Sequence, residues 1–167
     1  MEFKYCTICG EKLIGKEISD EGILPYCQSC QRPYFSIFNV SVLVAVMKDD
    51  KVLLIKQNYV SQNNWVLVAG YIQKGETAEE TVFREVEEET GLKARECKYI
   101  ESYFHVKNEI LMLGFLVSVD DDRCVPGKEV DEINWFNINE AVDLIREGST
   151  AQKHIMNVRK YLGLDKS

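Results

Sequence analysis

The stretch that decides the fold reads Gly70-Tyr-Ile-Gln-Lys-Gly-Glu-Thr-Ala-Glu-Glu-Thr-Val-Phe-Arg-Glu-Val-Glu-Glu-Glu-Thr-Gly-Leu92. Thr77, followed three residues later by Glu80, forms a capping box, which predicts the start of a helix. Gly91 predicts where that helix ends. Apolar residues between these points recur at helical spacing: Ala78, Val82, Phe83 and Val86. We therefore expect one face of the helix to pack against a core.

The predicted helix carries an unusual excess of acidic side chains. Its acids are Glu79, Glu80, Glu85, Glu87, Glu88 and Glu89, against the single base Arg84. At about 100° per residue Glu89 falls beside the apolar stripe, and Glu85 and Glu88 continue that edge. A carboxylate drawn partly out of water needs a partner or takes up a proton. A divalent cation resolves this conflict, and a shell of oxygen ligands suits Mg²⁺ or Mn²⁺.

The stretch resembles the signature of the Nudix hydrolases at every defining position. The matching residues are Gly70, Glu76, Arg84-Glu85-Val86, Glu88-Glu89 and Gly91-Leu92. The resemblance covers about residues 38–162. It implies an α/β fold, an α/β/α sandwich with a mixed sheet, and an enzyme that hydrolyses pyrophosphate bonds with Mg²⁺ or Mn²⁺.

The spacing of the signature acids predicts the metal ligands. Glu85, Glu88 and Glu89 lie at i, i+3 and i+4, so we expect them to hold one or two cations on one helix face. The resemblance implies a further ligand from the main-chain carbonyl of Ala69. It also implies an acidic ligand in the position of Glu129, for which a solvated loop acid is the alternative.

Other residues of the signature have expected roles beside the metal ligands. We predict that Glu76 pairs with Arg84 and fixes the loop on the helix. Glu85 and Glu88 are candidates for the catalytic groups, and the general base stays open between the signature glutamates and Glu129. Tyr71 is a candidate for stacking on a base or nicotinamide, with a core or rim aromatic as the alternative.

Two cysteine pairs precede this region. Cys6 and Cys9 form the first pair, and Cys27 and Cys30 form the second after seventeen intervening residues. This spacing is typical of a four-cysteine zinc site, and we prefer it to two disulfides. Four thiolates leave no open position, so the zinc is expected to be structural. We predict a zinc ribbon over residues 1–36, with a short hairpin between the pairs and a linker at 31–36, and a Nudix domain over 37–167.

Charge and hydropathy limit the expected partners. The net charge is -7, and the ribbon carries four Lys and Arg against five Asp and Glu up to position 36. We therefore expect no nucleic-acid partner and interpret the ribbon as a brace or dimer contact. No apolar run approaches the ~20 residues of a membrane span, and Met1–Cys6 shows no signal-peptide pattern. A cytoplasmic location and, by analogy with the family, a homodimer are expected.

The rest of the chain completes a sandwich of strands and helices. We predict strands at 39–47, 51–57, 65–69, 98–106, 109–119 and 133–136, a polar loop at 59–64, and helices at 139–146 and 150–162. His105 and His154 belong to no cluster, and Cys97 and Cys124 have no knuckle spacing. Structural roles are expected for all four.

The order of ribbon and Nudix domain resembles the NADH pyrophosphatase branch of the family. Ala69-Gly70-Tyr71 is similar to that branch's entry to the signature, but residues 97–105 lack its proline-rich array. The resemblance implies a nucleoside diphosphate linked to another group, with NADH, NAD⁺ or ADP-ribose as candidates. A nucleoside triphosphate is the alternative substrate. A non-catalytic nucleotide sensor whose ribbon binds nucleic acid is the alternative function.

Overall fold

The computed structural model describes residues 3–57 and 64–165. The chain divides into two compact units, Met1–Asn39 and Val40–Ser167. Each unit has its own sheet and its own buried cluster. The expected four-cysteine unit ahead of an α/β unit is confirmed.

The N-terminal unit is a three-stranded antiparallel sheet. Its strands are β1 (Ile14–Glu17), β2 (Ile23–Cys27) and β3 (Arg32–Pro33), in the order β1-β2-β3. The predicted hairpin between the cysteine pairs is β1 and β2, which pair from Ile14 with Tyr26 to Glu17 with Ile23.

The prediction of a linker at 31–36 is wrong. Arg32 and Pro33 pair with β2, and the backbone N–H of Tyr34 donates to the carbonyl of Pro25 at 2.8 Å. The Tyr34 side chain is buried with Cys6 and Cys27. A small unit has few apolar residues, so residues 32–34 supply part of its core and do not form a linker to the next unit.

The C-terminal unit contains a six-stranded sheet. Its strands are β4 (Asn39–Lys48), β5 (Lys51–Lys56), β6 (Val68–Tyr71), β7 (Ala94–His105), β8 (Ile110–Val119) and β9 (Glu132–Asn137). The strand order is β7-β8-β4-β5-β9, and β6 pairs with β4. Strand β4 pairs antiparallel with both β5 and β6, as do β5 with β9 and β7 with β8.

Three helices cover the two faces of this sheet: α1 (Ala78–Thr90), α2 (Ile138–Leu144) and α3 (Thr150–Tyr161). Alternate residues of β4 face opposite ways, as the period of two in a strand requires. Val42, Val44 and Val46 pack with Val82 and Val86 of α1. The intervening residues of β4 pack with alternate residues of β5 on the opposite face, which α2 and α3 cover. This second cluster contains Leu43, Ala45, Met47, Val52 and Leu54 of the strands and Ile138, Ala141, Ile155 and Val158 of the helices.

Helix α1 begins and ends where the sequence predicts. The Thr77 side chain accepts a hydrogen bond from the Glu80 backbone, and the Glu80 side chain accepts one from the Thr77 backbone. Gly91 has φ 70°, in the left-handed region, and its N–H donates to the carbonyl of Glu87. The helix that carries the acidic signature is therefore fixed at both ends.

Two local predictions in this unit need correction. The strand expected at 65–69 begins later, as β6 from Val68, while Trp65 and Val66 form only isolated bridges. Phe83 is 37% exposed, since it lies about 100° around the helix from Val82 and outside the buried stripe.

The loop predicted at 59–64 lies, except for Asn64, outside the described residues. Among the described helices, none is long and apolar enough to cross a membrane.

Candidate functional site

Glu76 and Arg84 connect the loop after β6 to helix α1. Arg84 Nε lies 2.7 Å from Glu76 Oε1, and Arg84 Nη2 lies 2.9 Å from Glu76 Oε2. Thr81 Oγ1 and the backbone N–H of Gln73 also donate to Glu76 Oε2, at 2.9 and 3.2 Å. These bonds, led by that from Arg84, hold the pKa of Glu76 well below its usual range. The pairing expected from the sequence is thus present as a bidentate contact.

Arg84 also reaches three other groups. Its Nη1 lies 2.6 Å from Glu85 Oε1 and 3.0 Å from Glu88 Oε2. Its Nη2 donates to the backbone carbonyl of Tyr71 at 3.2 Å. The guanidinium thereby holds the loop, the first turns of the helix and two of the predicted ligand carboxylates in one network.

Glu85 lies directly against Gly70. A Cβ added at Gly70 would collide with the carboxylate and Cγ of Glu85, so the space over this glycine is filled by that side chain. The Glu85 side chain is only 12% exposed, and burial raises the pKa of its carboxyl group. Gly70 therefore serves close packing here: only a residue without a side chain leaves room for the acid.

Glu89 is the most deeply buried carboxylate of the helix. The residue is 6% exposed, and Gln57 Nε2 donates to its Oε1 at 2.5 Å. Its Oε2 is buried and has no hydrogen-bond partner among the described residues. Burial, with smaller contributions from the charges of Glu85 and Glu129, raises the pKa of Glu89 to about 8.

The loop between β8 and β9 is attached to the end of α1. The backbone N–H of Val125 donates to the carbonyl of Thr90 at 2.8 Å, and that of Gly127 donates to the carbonyl of Glu89 at 3.0 Å. A Cβ at Gly127 would collide with the carbonyl of Glu88, so this approach also requires a glycine. Glu129 follows in the same loop, and its charge raises the pKa of both Glu85 and Glu89.

The three predicted ligand acids do not converge on one point in this structure. Glu88 is 59% exposed and, like Glu85, is held by Arg84, whereas Glu89 points into the unit toward Gln57. Among the described residues, the four cysteines form the one group of three or more possible metal-binding side chains whose ligand atoms all lie within 4.8 Å of one another.

The residues present fit a hard divalent cation. Glu89 offers a buried oxygen without a donor, and Glu85, Glu89 and Glu129 are close enough to repel one another. All three contribute oxygen atoms, the ligand type that Mg²⁺ and Mn²⁺ prefer. Ala69 lies in β6 beside Gly70 and pairs with Leu43 of β4. Tyr71, the expected stacking residue, is 56% exposed at the end of the same strand.

Sequence reasoning missed Gln57 and Thr81. Gln57 directly follows β5 and is 6% exposed, and a polar residue that ends an apolar strand run was the available signal. Thr81 is fully buried in α1 and donates to Glu76. Its position opposite the loop acid becomes evident only once the loop is folded onto the helix.

The four cysteines of the N-terminal unit form a compact cluster. Cys6 Sγ lies 3.7 Å from Cys30 Sγ, and Cys9 Sγ lies 3.6 Å from Cys27 Sγ. Four sulfurs at about 2.3 Å from a tetrahedral zinc would stand roughly 3.8 Å apart. All four cysteines are free thiols, so the alternative of two disulfides is not what this arrangement contains. The cluster fits a structural zinc ion.

Two side chains contact this cluster from outside. The hydroxyl of Tyr34 lies 3.0 Å from Cys6 Sγ, and this hydrogen bond is the main reason that the pKa of Cys6 is lowered to about 5. Glu11 Oε2 lies 3.2 Å from Cys27 Sγ and accepts from the backbone N–H of Ser29 at 3.0 Å. Such outer contacts are typical of groups that orient metal ligands.

Comparison with known proteins identifies the family of the domain that contains the acidic helix. The NUDIX domain model matches residues 37–157. The chain is 29% identical over 153 residues to the NAD-capped RNA hydrolase NudC of Escherichia coli K12 and to that of Shigella boydii. The match covers 91% of this chain and 58% of each relative, so the chain spans less than two thirds of their length.

Solved structures share the fold. A NUDIX hydrolase from Nitrosomonas europaea superposes with a TM-score of 0.74 at 22% identity, over 96% of this chain and 94% of that one. An ADP-ribose pyrophosphatase from Streptococcus suis gives 0.63 at 19% identity, over 75% and 92%. The NUDIX domain of Shewanella oneidensis NrtR, complexed with ADP ribose, gives 0.65 at 16% identity, over 82% and 94%.

The family expected from the signature is therefore confirmed. The domain model covers most of the chain, the match to the relatives covers 91% of it, and the structural neighbours share the α/β/α architecture. The chain belongs to the Nudix family, and its NUDIX domain follows a four-cysteine unit in the sequence.

Proposed function

We propose that the protein is a Mg²⁺- or Mn²⁺-dependent hydrolase of a nucleoside diphosphate linked to a second group. The observation that carries this proposal is Glu89, a buried carboxylate with one oxygen bonded and the other without a donor among the described residues. Such a group is unfavourable in a purely structural role, because an unpaired buried oxygen loses its hydration. A bound cation compensates for that loss.

The proposed ligands are Glu85, Glu88, Glu89 and Glu129, with the main-chain carbonyl of Ala69. When bound, the cation supplies charge neutralisation on the diphosphate and acidifies the attacking water. Glu85 and Glu88 must then exchange their contacts with Arg84 for the cation, while Arg84 keeps its bidentate contact with Glu76. Glu76 and Arg84 thus act by holding the loop and helix together.

Candidate residues can also be named for the general base and for stacking on the substrate. We assign the proton-accepting group to one of Glu85, Glu88 and Glu129. The exposed ring of Tyr71 is available to stack on a base or nicotinamide at the edge of β6.

The leading substrates are NADH, NAD⁺ and ADP-ribose, each split into AMP and a second monophosphate. The names of the relatives favour an NAD-containing substrate, and the ADP-ribose pyrophosphatase shares the fold. The names also bring in NAD-capped RNA, contrary to the expectation of no nucleic-acid partner. A nucleoside triphosphate is the second candidate class, because the proline-rich array of the NADH branch has no counterpart in residues 97–105.

A substrate screen tests the proposal. The purified full chain is incubated with NADH, NAD⁺, ADP-ribose, FAD, dinucleoside polyphosphates, nucleoside triphosphates and an NAD-capped RNA oligonucleotide, with Mg²⁺ or Mn²⁺. Products identified by mass should include AMP or another nucleoside monophosphate. If none of these compounds is cleaved in the presence of Mg²⁺ or Mn²⁺, the proposed hydrolase function is wrong.

A non-catalytic sensor is the rival from another class, and the NrtR domain with bound ADP ribose supports nucleotide binding of this kind. Gel-shift assays with RNA and DNA, run beside the hydrolysis screen, separate the two. We expect the protein to hydrolyse a nucleotide in the screen. We also expect uncapped RNA and DNA to show no change in gel mobility, because the net charge of the chain is -7.

The remaining proposals concern the zinc site and the state of the protein in the cell. We assign one structural Zn²⁺ to Cys6, Cys9, Cys27 and Cys30, a cytoplasmic location, and a homodimer. Light scattering of the zinc-loaded protein tests the dimer, and metal analysis tests the zinc.

A further inference from the structure

We propose that Gln57 is a positioning residue that orients Glu89 for metal binding. This inference rests on the metal-binding part of the proposed function. Gln57 lies outside the signature stretch, at the end of an apolar strand. Its assignment comes from one buried contact between β5 and α1.

The contact is short, buried and held by rigid elements. Gln57 Nε2 lies 2.5 Å from Glu89 Oε1, and both residues are 6% exposed. Gln57 directly follows β5, which pairs with β9 through six residues, and Ile55 and Val66 exchange backbone hydrogen bonds just before it. Because the paired strand holds Gln57 in place, its amide has little freedom to move with the Glu89 side chain. The hydrogen bond therefore fixes the position of the Glu89 carboxylate.

The geometry divides the carboxylate into two functions. Oε1 is occupied by the Gln57 amide, and Oε2 is left buried without a donor among the described residues. Carboxylates that bind metals are themselves commonly held by a second hydrogen bond, which sets their orientation. Gln57 therefore presents Oε2, and not Oε1, as the ligand atom.

The neutral amide is a better partner here than a cation. Next to Gln57, Lys56 points away from Glu89 and contacts Glu132 at 2.6 Å and the ring of Trp65 at 4.3 Å. A lysine in contact with Glu89 would neutralise the carboxylate and compete with a metal ion. The alternation of side chains along the strand places the uncharged donor toward Glu89 and the charged one elsewhere.

Direct metal binding tests this role without relying on activity. Mn²⁺ is titrated into the zinc-loaded full chain without nucleotide, and free Mn²⁺ is measured by electron paramagnetic resonance. The variants are Gln57→Met, which keeps a similar volume without a donor, Glu89→Gln and the double variant. Gln152→Met is the matched control, because Gln152 is a half-buried glutamine of α3 that bonds to Gly148 and Val142.

We expect Gln57→Met to weaken Mn²⁺ binding about 10- to 100-fold, as removal of outer-shell partners typically does. Raising the Mn²⁺ concentration should restore turnover of Gln57→Met with KM for the nucleotide unchanged. In the Glu89→Gln background the same substitution should have no further effect, since its target is gone. Gln152→Met should bind Mn²⁺ as the wild type does.

The outcomes separate this inference from the proposed function. Wild-type Mn²⁺ affinity in Gln57→Met, with weakened binding in Glu89→Gln, overturns the role of Gln57 and leaves the hydrolase proposal standing. A wild-type protein that binds no Mn²⁺ overturns both. A protein whose Mn²⁺ binding responds to both substitutions but that cleaves no compound in the screen supports Gln57 and overturns hydrolysis.

Discussion

The guanidinium of Arg84 contacts both oxygens of Glu76, at 2.7 and 2.9 Å, across a loop and one turn of helix. The same guanidinium reaches Glu85 and Glu88 through Nη1. One cation of the protein therefore balances three acids before any metal arrives. Glu85 and Glu88 are proposed metal ligands, so the strength of their contacts with Arg84 affects the affinity of the protein for a metal ion.

Replacing Arg84 tests this arrangement. Arg84→Lys keeps the charge but cannot form two parallel bonds to Glu76, so the loop should be held less firmly. We expect metal affinity or kcat to fall about 10- to 100-fold. Steady-state kinetics at several Mg²⁺ concentrations measure both. Arg95→Lys, at a side chain that is 70% exposed, is the control, and an equal loss there would contradict a specific role.

Glu89→Gln tests the central ligand. The substitution keeps the shape and the hydrogen-bonding capacity of the side chain but removes its charge, so the metal loses its buried ligand. We expect kcat with Mg²⁺ to fall by more than about 100-fold, which exceeds the typical effect of an outer-shell change. Glu87→Gln, on the exposed face of the same helix, should retain activity. Turnover of Glu89→Gln near the wild-type rate would refute the metal assignment.

Gly70→Ala tests the packing of Glu85. The new methyl group would collide with the Glu85 carboxylate, which is the movable end of a side chain, so the acid should shift while the fold persists. A displacement of about 1 Å in a catalytic group costs on the order of 100-fold in rate, and we expect a loss of kcat of that size. The melting temperature should change little, because Gly70 is not among the glycines with positive φ.

Gly148→Ala provides the opposite control. Gly148 has φ 69° and nothing within 4 Å of an added Cβ, so alanine there meets no neighbour but adopts a strained backbone. We expect a loss of about 1–2 kcal/mol in stability with unchanged kcat. If Gly70→Ala behaved like Gly148→Ala, the contact with Glu85 would have no functional meaning.

Local patterns predicted the helix of the site well. The capping box, Gly91 and the edge of acids are all encoded within one stretch, where a fixed rotation per residue decides which side chains meet. The pairing of Glu76 with Arg84 was also within reach, because both belong to the signature. The contact of Gln57 with Glu89 was not, since it joins a strand to a helix across 32 positions.

Two errors in the fold have different physical origins. Residues 31–36 contain a proline and were interpreted as a linker, but the burial of Tyr34 depends on the cysteine cluster that it contacts. Phe83 was placed in the core because it is apolar, although its angular position puts it outside the stripe. The burial of Tyr34 depends on packing partners that are distant in sequence, so local patterns do not reveal it. The exposure of Phe83 follows from the fixed rotation per residue, so a stricter use of helical periodicity would have predicted it.

His154 gives the fold a predictable dependence on pH. Its ring is fully buried in α3, with Nε2 at 2.9 Å from the carbonyl of Phe115 and Nδ1 at 3.2 Å from the hydroxyl of Tyr103. Because a carbonyl only accepts, Nε2 carries the proton and Nδ1 accepts from Tyr103. Burial lowers the pKa of His154 to about 4.

The lowered pKa sets the direction and window of the effect. The unfolded chain binds a proton at His154 below about pH 6.5, whereas the folded protein does so only near pH 4, so acid favours unfolding. This contribution is complete above pH 6.5 and is lost between pH 6.5 and 4, by roughly 3 kcal/mol. Urea unfolding of metal-free protein at several pH values measures it. His154→Gln should flatten this slope, and an equal flattening in His105→Gln would contradict its assignment to His154.

Cys27→Ser tests the zinc site. Removing one of four thiolates should abolish zinc retention and lower the melting temperature of the N-terminal unit, whose small core needs metal binding to fold. Mass spectrometry of the metal content should give one zinc per wild-type chain. Cys97→Ser, outside the cluster, should retain it. A well-folded wild-type sample free of zinc would refute the ribbon assignment.

The burial of Glu89 beside an apolar core implies that the stability of the metal-free domain and its catalytic turnover cannot both be maximal. A methionine or leucine at this position would remove a buried carboxyl group with an unpaired oxygen, so it should make the metal-free domain harder to unfold while abolishing turnover. Directed evolution for thermal resistance alone should therefore replace Glu89 early. A screen that also demands catalysis should retain it and find its improvements elsewhere.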